Sequence, residues 1–174
     1  MSRSLQLAML TVLTAAFVPA FADQGPTDPQ IAAIVVTANQ VDVDAGQLAQ
    51  SRSTSKDVKQ FAKLMVDDHN GVNKAAVDLV TRLKVTPEPT ATSASLQKGG
   101  DQNLASLKTL NGAAFDKAYV VHEVAYHQAV LDALDKVLIP SASNADLKAL
   151  LVKVRPAFVA HLDHAKHLEA QLAN

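Results

Sequence analysis

Four ionisable side chains interrupt apolar stripes that repeat at helical spacing along this chain of 174 residues. They are Asp42, His69, His127 and His161, and each lies in a different long amphipathic segment. The stripe around His69 consists of Val58, Ala62, Met65, Val72, Ala76, Leu79 and Leu83. Because steps of three and four residues keep one helical face toward a core, the sequence predicts that all four ionisable groups point inward.

A carboxylate and three imidazoles buried without partners would strongly destabilise the fold, so these four groups must be paired. Two arrangements would pair them. In the first, three neutral imidazole nitrogens and the Asp42 carboxylate bind a transition metal such as zinc, copper or iron. In the second, the four groups hydrogen-bond to one another, to Tyr119 or Tyr126, or to trapped water.

Residue counts from the turns between helices test whether the four groups can meet. They place Asp42 and His69 roughly five residues apart in height, or about 7 Å, with a similar offset between His127 and His161. Glu123 lies one turn before His127 and nearer the level of His161, so it is an alternate ligand. A carboxylate-bridged di-iron centre is not expected, because none of the three glutamates is followed by histidine at the third position.

Other polar positions near these residues have simpler interpretations. Asp68 is expected to orient the neighbouring His69, whereas Asp67 is expected to face solvent. His164 and His167 follow His161 at three-residue steps, which should place His164 beside the core and His167 on the surface.

Composition and motifs exclude several classes of function. The chain has 16 Lys and Arg against 17 Asp and Glu, and it lacks the clustered positive charge of a nucleic-acid interface. No nucleophile elbow, P-loop, dinucleotide fingerprint or His-Glu-x-x-His motif occurs. The first interpretation is therefore a non-enzymatic binding or stress-related module, and the alternative is a transition-metal-binding protein.

The N-terminus has the pattern of a secretory signal peptide. Arg3 precedes an apolar run from Leu5 to Val18, and a small-x-small site ends at Ala22. We expect residues 1–22 to be removed after Ala22, giving a periplasmic or secreted protein without a transmembrane anchor. Cysteine is absent, so the mature protein would depend on core packing rather than on disulfides.

Residues 23–174 are predicted to form one all-α domain, a ferritin-like four-helix bundle with one long crossover carrying a short extra helix. Pro87, Pro89 and Pro140 interrupt the helical pattern. The predicted helices are 28–50, 55–85, 113–139 and a fourth that ends near 172, with the short crossover helix near 104–110. Gly99 and Gly100 are expected to lie in loop.

A second apolar face on the third helix contains Phe115, Tyr119, His122, Tyr126 and Ala129. It lies about 100° around the helix from the stripe that includes His127. We expect this face to pack against the crossover. The alternative is an oligomer contact through Phe115, Tyr119 and Tyr126.

Five segments together resemble a bacterial family of exported proteins, the domain of unknown function 4142 family. These segments are 39–49, 58–69, 115–119, 126–127 and 155–161, and the most specific is Met-Val-Asp-Asp-His ending at His69. The family is described as ferritin-like, so the resemblance implies a bundle and export, and it implies no established activity. Members usually have Glu where this chain has Asp42, and the missing methylene shortens the reach of that carboxylate.

Overall fold

A computed structural model describes residues 25–173, and every regular element in that range is helical. The helices are α1 (Asp28–Arg52), α2 (Lys56–Leu83), α3 (Ala91–Lys108), α4 (Gly112–Ala133), α5 (Ile139–Ser141) and α6 (Ala145–Leu172), with a π-helical segment, Leu134–Leu138, that joins α4 to α5. The predicted signal peptide, residues 1–22, lies outside the described residues. Among the helices of residues 25–173, none is long and apolar enough to cross a membrane.

Hydrogen bonds between helix ends establish the directions of the long helices. Asp28, at the start of α1, accepts from the backbone N–H groups of Ser143 and Asn144 just before α6. Asp116, near the start of α4, accepts from the backbone N–H of Ser55 just before α2. Helix α1 is therefore parallel to α6, and α2 is parallel to α4. This arrangement confirms the predicted all-α bundle with a long crossover between its second and third main helices.

The crossover contains a longer helix than the sequence predicted. Helix α3 has 18 residues and includes Gly99 and Gly100, so the expected loop at these glycines was wrong. The physical reason is close packing: a Cβ atom on Gly100 would lie 2.8 Å from both methyl carbons of Val41 on α1. Gly100 therefore lets α3 lie against α1.

The N-terminal part of the second face of α4 packs inside the chain against the crossover, as the first of the two interpretations predicted, whereas Ala129 at its other end is exposed. Phe115 and Tyr119 are fully buried in an apolar cluster that includes Leu107 of α3. Tyr126 is half-buried, and its hydroxyl donates to the backbone carbonyl of Ala38 at 2.8 Å. Neither Phe115 nor Tyr119 is thus exposed for contact with a second copy.

The core consists of two apolar clusters separated by a polar layer. One cluster contains Ile31, Leu79, Leu134 and Leu151, at the end of the bundle where α1 and α6 begin. The other cluster contains Ala49, Phe61, Phe115 and Leu168, at the end where α2 and α4 begin. Each of the four long helices contributes to both clusters, so each also crosses the level between them. The ionisable residues lie at that level.

Candidate metal centre

The polar layer brings all four predicted site residues together, along with the alternate residue Glu123. Asp42 lies on α1, His69 on α2, Glu123 and His127 one turn apart on α4, and His161 on α6. Each of these five residues is at most 3% exposed. The apolar clusters on either side therefore exclude bulk water from five ionisable groups.

The three imidazoles form a nearly equilateral triangle. Their ring centroids are 5.3 to 5.5 Å apart, and one nitrogen from each ring lies within 4.8 Å of the other two. Asp42 Oδ2 lies 3.1 Å from His69 Nε2 and 3.5 Å from His127 Nε2. A second group of potential ligands, Asp42, Glu123 and His127, overlaps the first and meets the same 4.8 Å limit.

The predicted 7 Å offset between Asp42 and His69 does not separate their side chains. In an α-helix each Cα–Cβ bond leans toward the helix N-terminus. Asp42 lies nearer the turn between α1 and α2, and its side chain leans away from that turn, whereas that of His69 leans toward it. Because α1 and α2 are antiparallel, the side-chain atoms of Asp42 and His69 lie closer in height than their Cα atoms do.

Each imidazole has one nitrogen beside an oxygen that can only accept a hydrogen bond. The acceptors are the Asn39 side-chain oxygen, 2.7 Å from His69 Nδ1; the Glu123 backbone oxygen, 3.1 Å from His127 Nδ1; and an Asp68 carboxylate oxygen, 2.8 Å from His161 Nε2. Each of these nitrogens must therefore carry the proton and donate it. In a neutral ring the opposite nitrogen then has a free lone pair.

Those opposite nitrogens have no hydrogen-bond partner among the described residues. They are His69 Nε2, His127 Nε2 and His161 Nδ1, and both carboxyl oxygens of Asp42 and of Glu123 also lack a partner. The short distance between Asp42 Oδ2 and His69 Nε2 lacks the geometry of a hydrogen bond. Buried polar atoms without partners are rare and costly, and this layer concentrates them at one point.

Burial shifts the titration of every group in the layer toward its neutral form. It lowers the pKa of His69 well below its usual range, lowers that of His127 to about 4, and lowers that of His161. Neighbouring imidazoles further lower the pKa of His69 and His127. The three rings are therefore neutral near pH 7, the protonation state that binds metals.

The two carboxyl groups respond in the opposite direction. Burial raises the pKa of Asp42 to about 7, and interaction with Glu123 partly offsets that rise. Burial also raises the pKa of Glu123 well above its usual range, and the Asp42 charge raises it further. Two carboxyl groups in one dry layer cannot both ionise easily without a cation nearby.

Sequence reasoning missed or misassigned three neighbours of the site. Asp68 bonds to His161 rather than to His69, so the prediction that it orients His69 was wrong. Asn39 takes that role, and its side-chain nitrogen donates to the backbone oxygen of Val35 at 2.7 Å. The ring of Phe158 stacks on His69 with centroids 5.0 Å apart. Asn39 lies one turn before Asp42, and this position was the signal in the sequence that could have identified its contact with His69.

The remaining predicted histidine positions lie outside the layer. His164 is exposed and contacts the edge of Phe61, with ring centroids 5.0 Å apart. His167 is also exposed and hydrogen-bonds to Gln171 at 3.1 Å. Both positions agree with the sequence prediction.

Comparison with known proteins identifies a family but no characterised relative. A family described as a domain of unknown function (DUF4142) matches residues 14–168. Comparisons with curated proteins and with solved structures find no significant match. The match covers all five residues of the polar layer.

Proposed function

Because the chain belongs to the DUF4142 family, whose description assigns no activity, we propose from the site alone that this protein binds a transition metal. The ligands would be His69, His127 and His161, each through its unpaired nitrogen, together with the Asp42 carboxylate. Glu123 would lie beside this set as a second carboxylate. Zinc, copper and iron are the candidate ions, since imidazole suits all three.

The observation that supports this proposal most strongly is the clustering of the three imidazoles, with one nitrogen of each ring within 4.8 Å of a nitrogen of the other two and one nitrogen of each ring unpaired. Metal-ligating histidines typically donate the N–H of one ring nitrogen to an oxygen acceptor, which orients the ring and directs its other nitrogen at the ion. His69, His127 and His161 each have such an acceptor, on three different helices. An arrangement held only by internal hydrogen bonds would be expected to pair these nitrogens with donors.

Two of the distances in the layer, and its charges, also suit a divalent ion. Bonds of about 2.0–2.1 Å in a tetrahedral zinc site place neighbouring ligand atoms about 3.3–3.4 Å apart. The Asp42 oxygen lies 3.1 and 3.5 Å from two of the imidazole nitrogens. A divalent charge would also favour the ionised forms of Asp42 and Glu123, whose two negative charges it would balance.

A set of four protein ligands favours binding over catalysis. Catalytic zinc sites usually have three protein ligands and leave one position for water or substrate. With Asp42 as a fourth ligand the proposed site would be closed, in a layer that bulk water does not reach. We therefore propose storage, sensing or structural use of the metal.

The same protein is proposed to act outside the cytoplasm. Support comes from the N-terminal pattern alone: the apolar run from Leu5 to Val18 and the small-residue site at Ala22. N-terminal sequencing of the protein recovered from the periplasmic fraction of an expressing bacterium tests this proposal. A first residue of Asp23 would support it, and an intact Met1 on protein confined to the cytoplasm would contradict it.

The metal proposal is tested on untagged protein, because a histidine tag would bind metal itself. The protein is stripped with a chelator, dialysed against zinc, copper or ferrous iron, and its metal content is measured by mass spectrometry. We expect one ion per chain in the wild type and none in His127→Gln or Asp42→Asn. His167→Gln is the matched control, since that histidine is exposed and distant from the layer.

Two results would overturn the metal proposal. One is a wild-type protein that retains no stoichiometric metal with any of the three ions. The other is a folded His127→Gln variant that retains as much metal as His167→Gln. Circular dichroism of each variant establishes that it is folded, so a loss of metal is not confused with a loss of structure.

A further inference from the structure

An apolar cavity of about 180 Å³ adjoins the polar layer on the side covered by the crossover. All five long helices and the π-helical segment supply its apolar wall, with Val35, Val72, Leu96, Val130, Leu134 and Phe158 among the lining side chains. Its inner end includes the ring of His69, and its outer part includes the exposed residue Thr92. The cavity therefore extends from the surface of α3 to one of the proposed metal ligands.

The polar side chains deep in the cavity wall are hydrogen-bonded within the protein, apart from one nitrogen of His69. The Tyr126 hydroxyl donates to the Ala38 backbone oxygen, and the Asn39 amide bonds both to the Val35 backbone oxygen and to His69 Nδ1. His69 Nε2 is unpaired and lies 3.1 Å from Asp42 Oδ2, within the ionisable cluster. A buried water molecule needs two to four polar partners, and the deep wall offers it at most this one free atom.

A cavity of this size and chemistry favours a particular class of ligand. An engineered apolar cavity of about 150 Å³ in another protein stays dry and binds benzene or xenon. The present cavity is of similar volume and has comparable side chains. We propose that it binds a neutral, apolar molecule of about the size of benzene, in contact with the ring of His69.

The structure also indicates a route by which such a ligand enters. A more open depression on the surface is lined by residues of α1, α3 and α4, including His122. It shares Thr92, Leu96 and Tyr126 with the apolar cavity, so the two adjoin at these residues. Entry would therefore take place between α3 and α4.

The proposal is tested by titrating benzene into chelator-treated protein and following the thermal unfolding midpoint and the heat of binding. A saturable rise in the midpoint is expected, because a ligand that binds only the folded state stabilises it. Phenol is the matched probe, since it adds one hydroxyl for which the deep wall offers no unpaired partner except His69 Nε2, which lies 3.1 Å from Asp42 Oδ2. We expect phenol to bind at least tenfold more weakly than benzene.

Variants that fill the cavity provide the second part of the test. Ala133→Phe and Val130→Phe each place an aromatic ring at a half-buried position of the wall, and each should weaken benzene binding at least tenfold. Ala125→Phe is the control, because Ala125 is exposed on the same helix and does not line the cavity. Its benzene affinity should stay within twofold of the wild type.

Either of two outcomes would overturn the proposal. One is the absence of saturable benzene binding by the wild type. The other is a folded filling variant that binds benzene as tightly as Ala125→Phe. Because all measurements use metal-free protein, a failure of the metal proposal would leave this result unchanged, and the two proposals can fail separately.

Discussion

Replacing Asp42 by asparagine should stabilise the metal-free protein while abolishing its metal binding. The carboxyl group is 1% exposed and has no hydrogen-bond partner for either oxygen among the described residues. An amide has nearly the same shape but cannot ionise. The substitution would therefore remove a buried charge without changing the shape of the side chain.

The magnitude follows from the titration of Asp42. Burial raises its pKa from 3.8 to about 7, so between these pH values the folded state holds a proton that the unfolded state has released. Wild-type stability should thus fall as the pH rises through this interval. Above pH 7 the raised pKa of Asp42 destabilises the folded state by on the order of 4 kcal/mol, because each unit of pKa shift is worth about 1.4 kcal/mol. At pH 5 about 2 kcal/mol of it remains.

Urea unfolding with a chelator present, followed by circular dichroism, measures this difference. Asp42→Asn should exceed the wild type in free energy of unfolding at both pH 8 and pH 5, with the larger gain at pH 8. Asp44→Asn is the control on the same helix, and its effect should stay within about 0.5 kcal/mol. A variant less stable than the wild type at pH 8 would show that Asp42 is a structural partner, and the reasoning would then be refuted.

Three further predictions concern the surroundings of the site. Asp68→Ala should weaken metal binding about 10–100-fold in a direct titration, because His161 loses its orienting acceptor; Asp67→Ala, at the exposed neighbouring position, should leave the affinity unchanged. Gly100→Ala should lower the free energy of unfolding by about 1–3 kcal/mol, because its Cβ would lie 2.8 Å from methyl groups on α1. Gly99→Ala, with no atom within 4 Å of its Cβ, should raise it by about 0.5–1 kcal/mol. Saturation with the preferred metal, at 100 times its Kd, should stabilise the wild type by about 2.7 kcal/mol in calorimetry.

Specific results would contradict each of these three predictions. Equal metal affinities in Asp68→Ala and Asp67→Ala would show that the His161 ring needs no acceptor. Equal effects of the two glycine substitutions would show that the close approach of α3 and α1 does not explain why position 100 is glycine. A preferred metal that leaves the unfolding midpoint unchanged would mean that it binds the unfolded chain equally well, or does not bind the folded site.

Helical periodicity was sufficient to predict most of the scaffold. The stripes placed Asp42, His69, His127 and His161 on inward faces, and the structure buries all four. Prolines and short polar turns located the main helix boundaries to within a few residues. The extent of the crossover helix was the least accurate prediction. Two adjacent glycines favour a loop, and only tertiary packing against α1 shows that this helix needs a residue without a side chain there.

Local patterns could not identify the partners of the site residues. Asp68 is adjacent to His69 in sequence, yet it bonds to His161, which is 93 residues away. Adjacent helical residues point about 100° apart, so a neighbour in sequence is seldom a neighbour in a bundle core. Which of the facing helices receives Asp68 depends on their relative rotation, and no stripe in a single helix contains that information.

The sequence by itself determined that Asp42, His69, His127 and His161 lie on the inward faces of four helices, because helix formation and amphipathicity depend on residues only three or four positions apart. Tertiary structure alone decided that these groups share one level, which nitrogen of each imidazole is free, and that an apolar cavity lies beside His69. Those features depend on the lean of side chains and on the rotation and register of helices joined by a long crossover. They arise only when distant segments pack together, and for that reason the composition of each helix does not specify them.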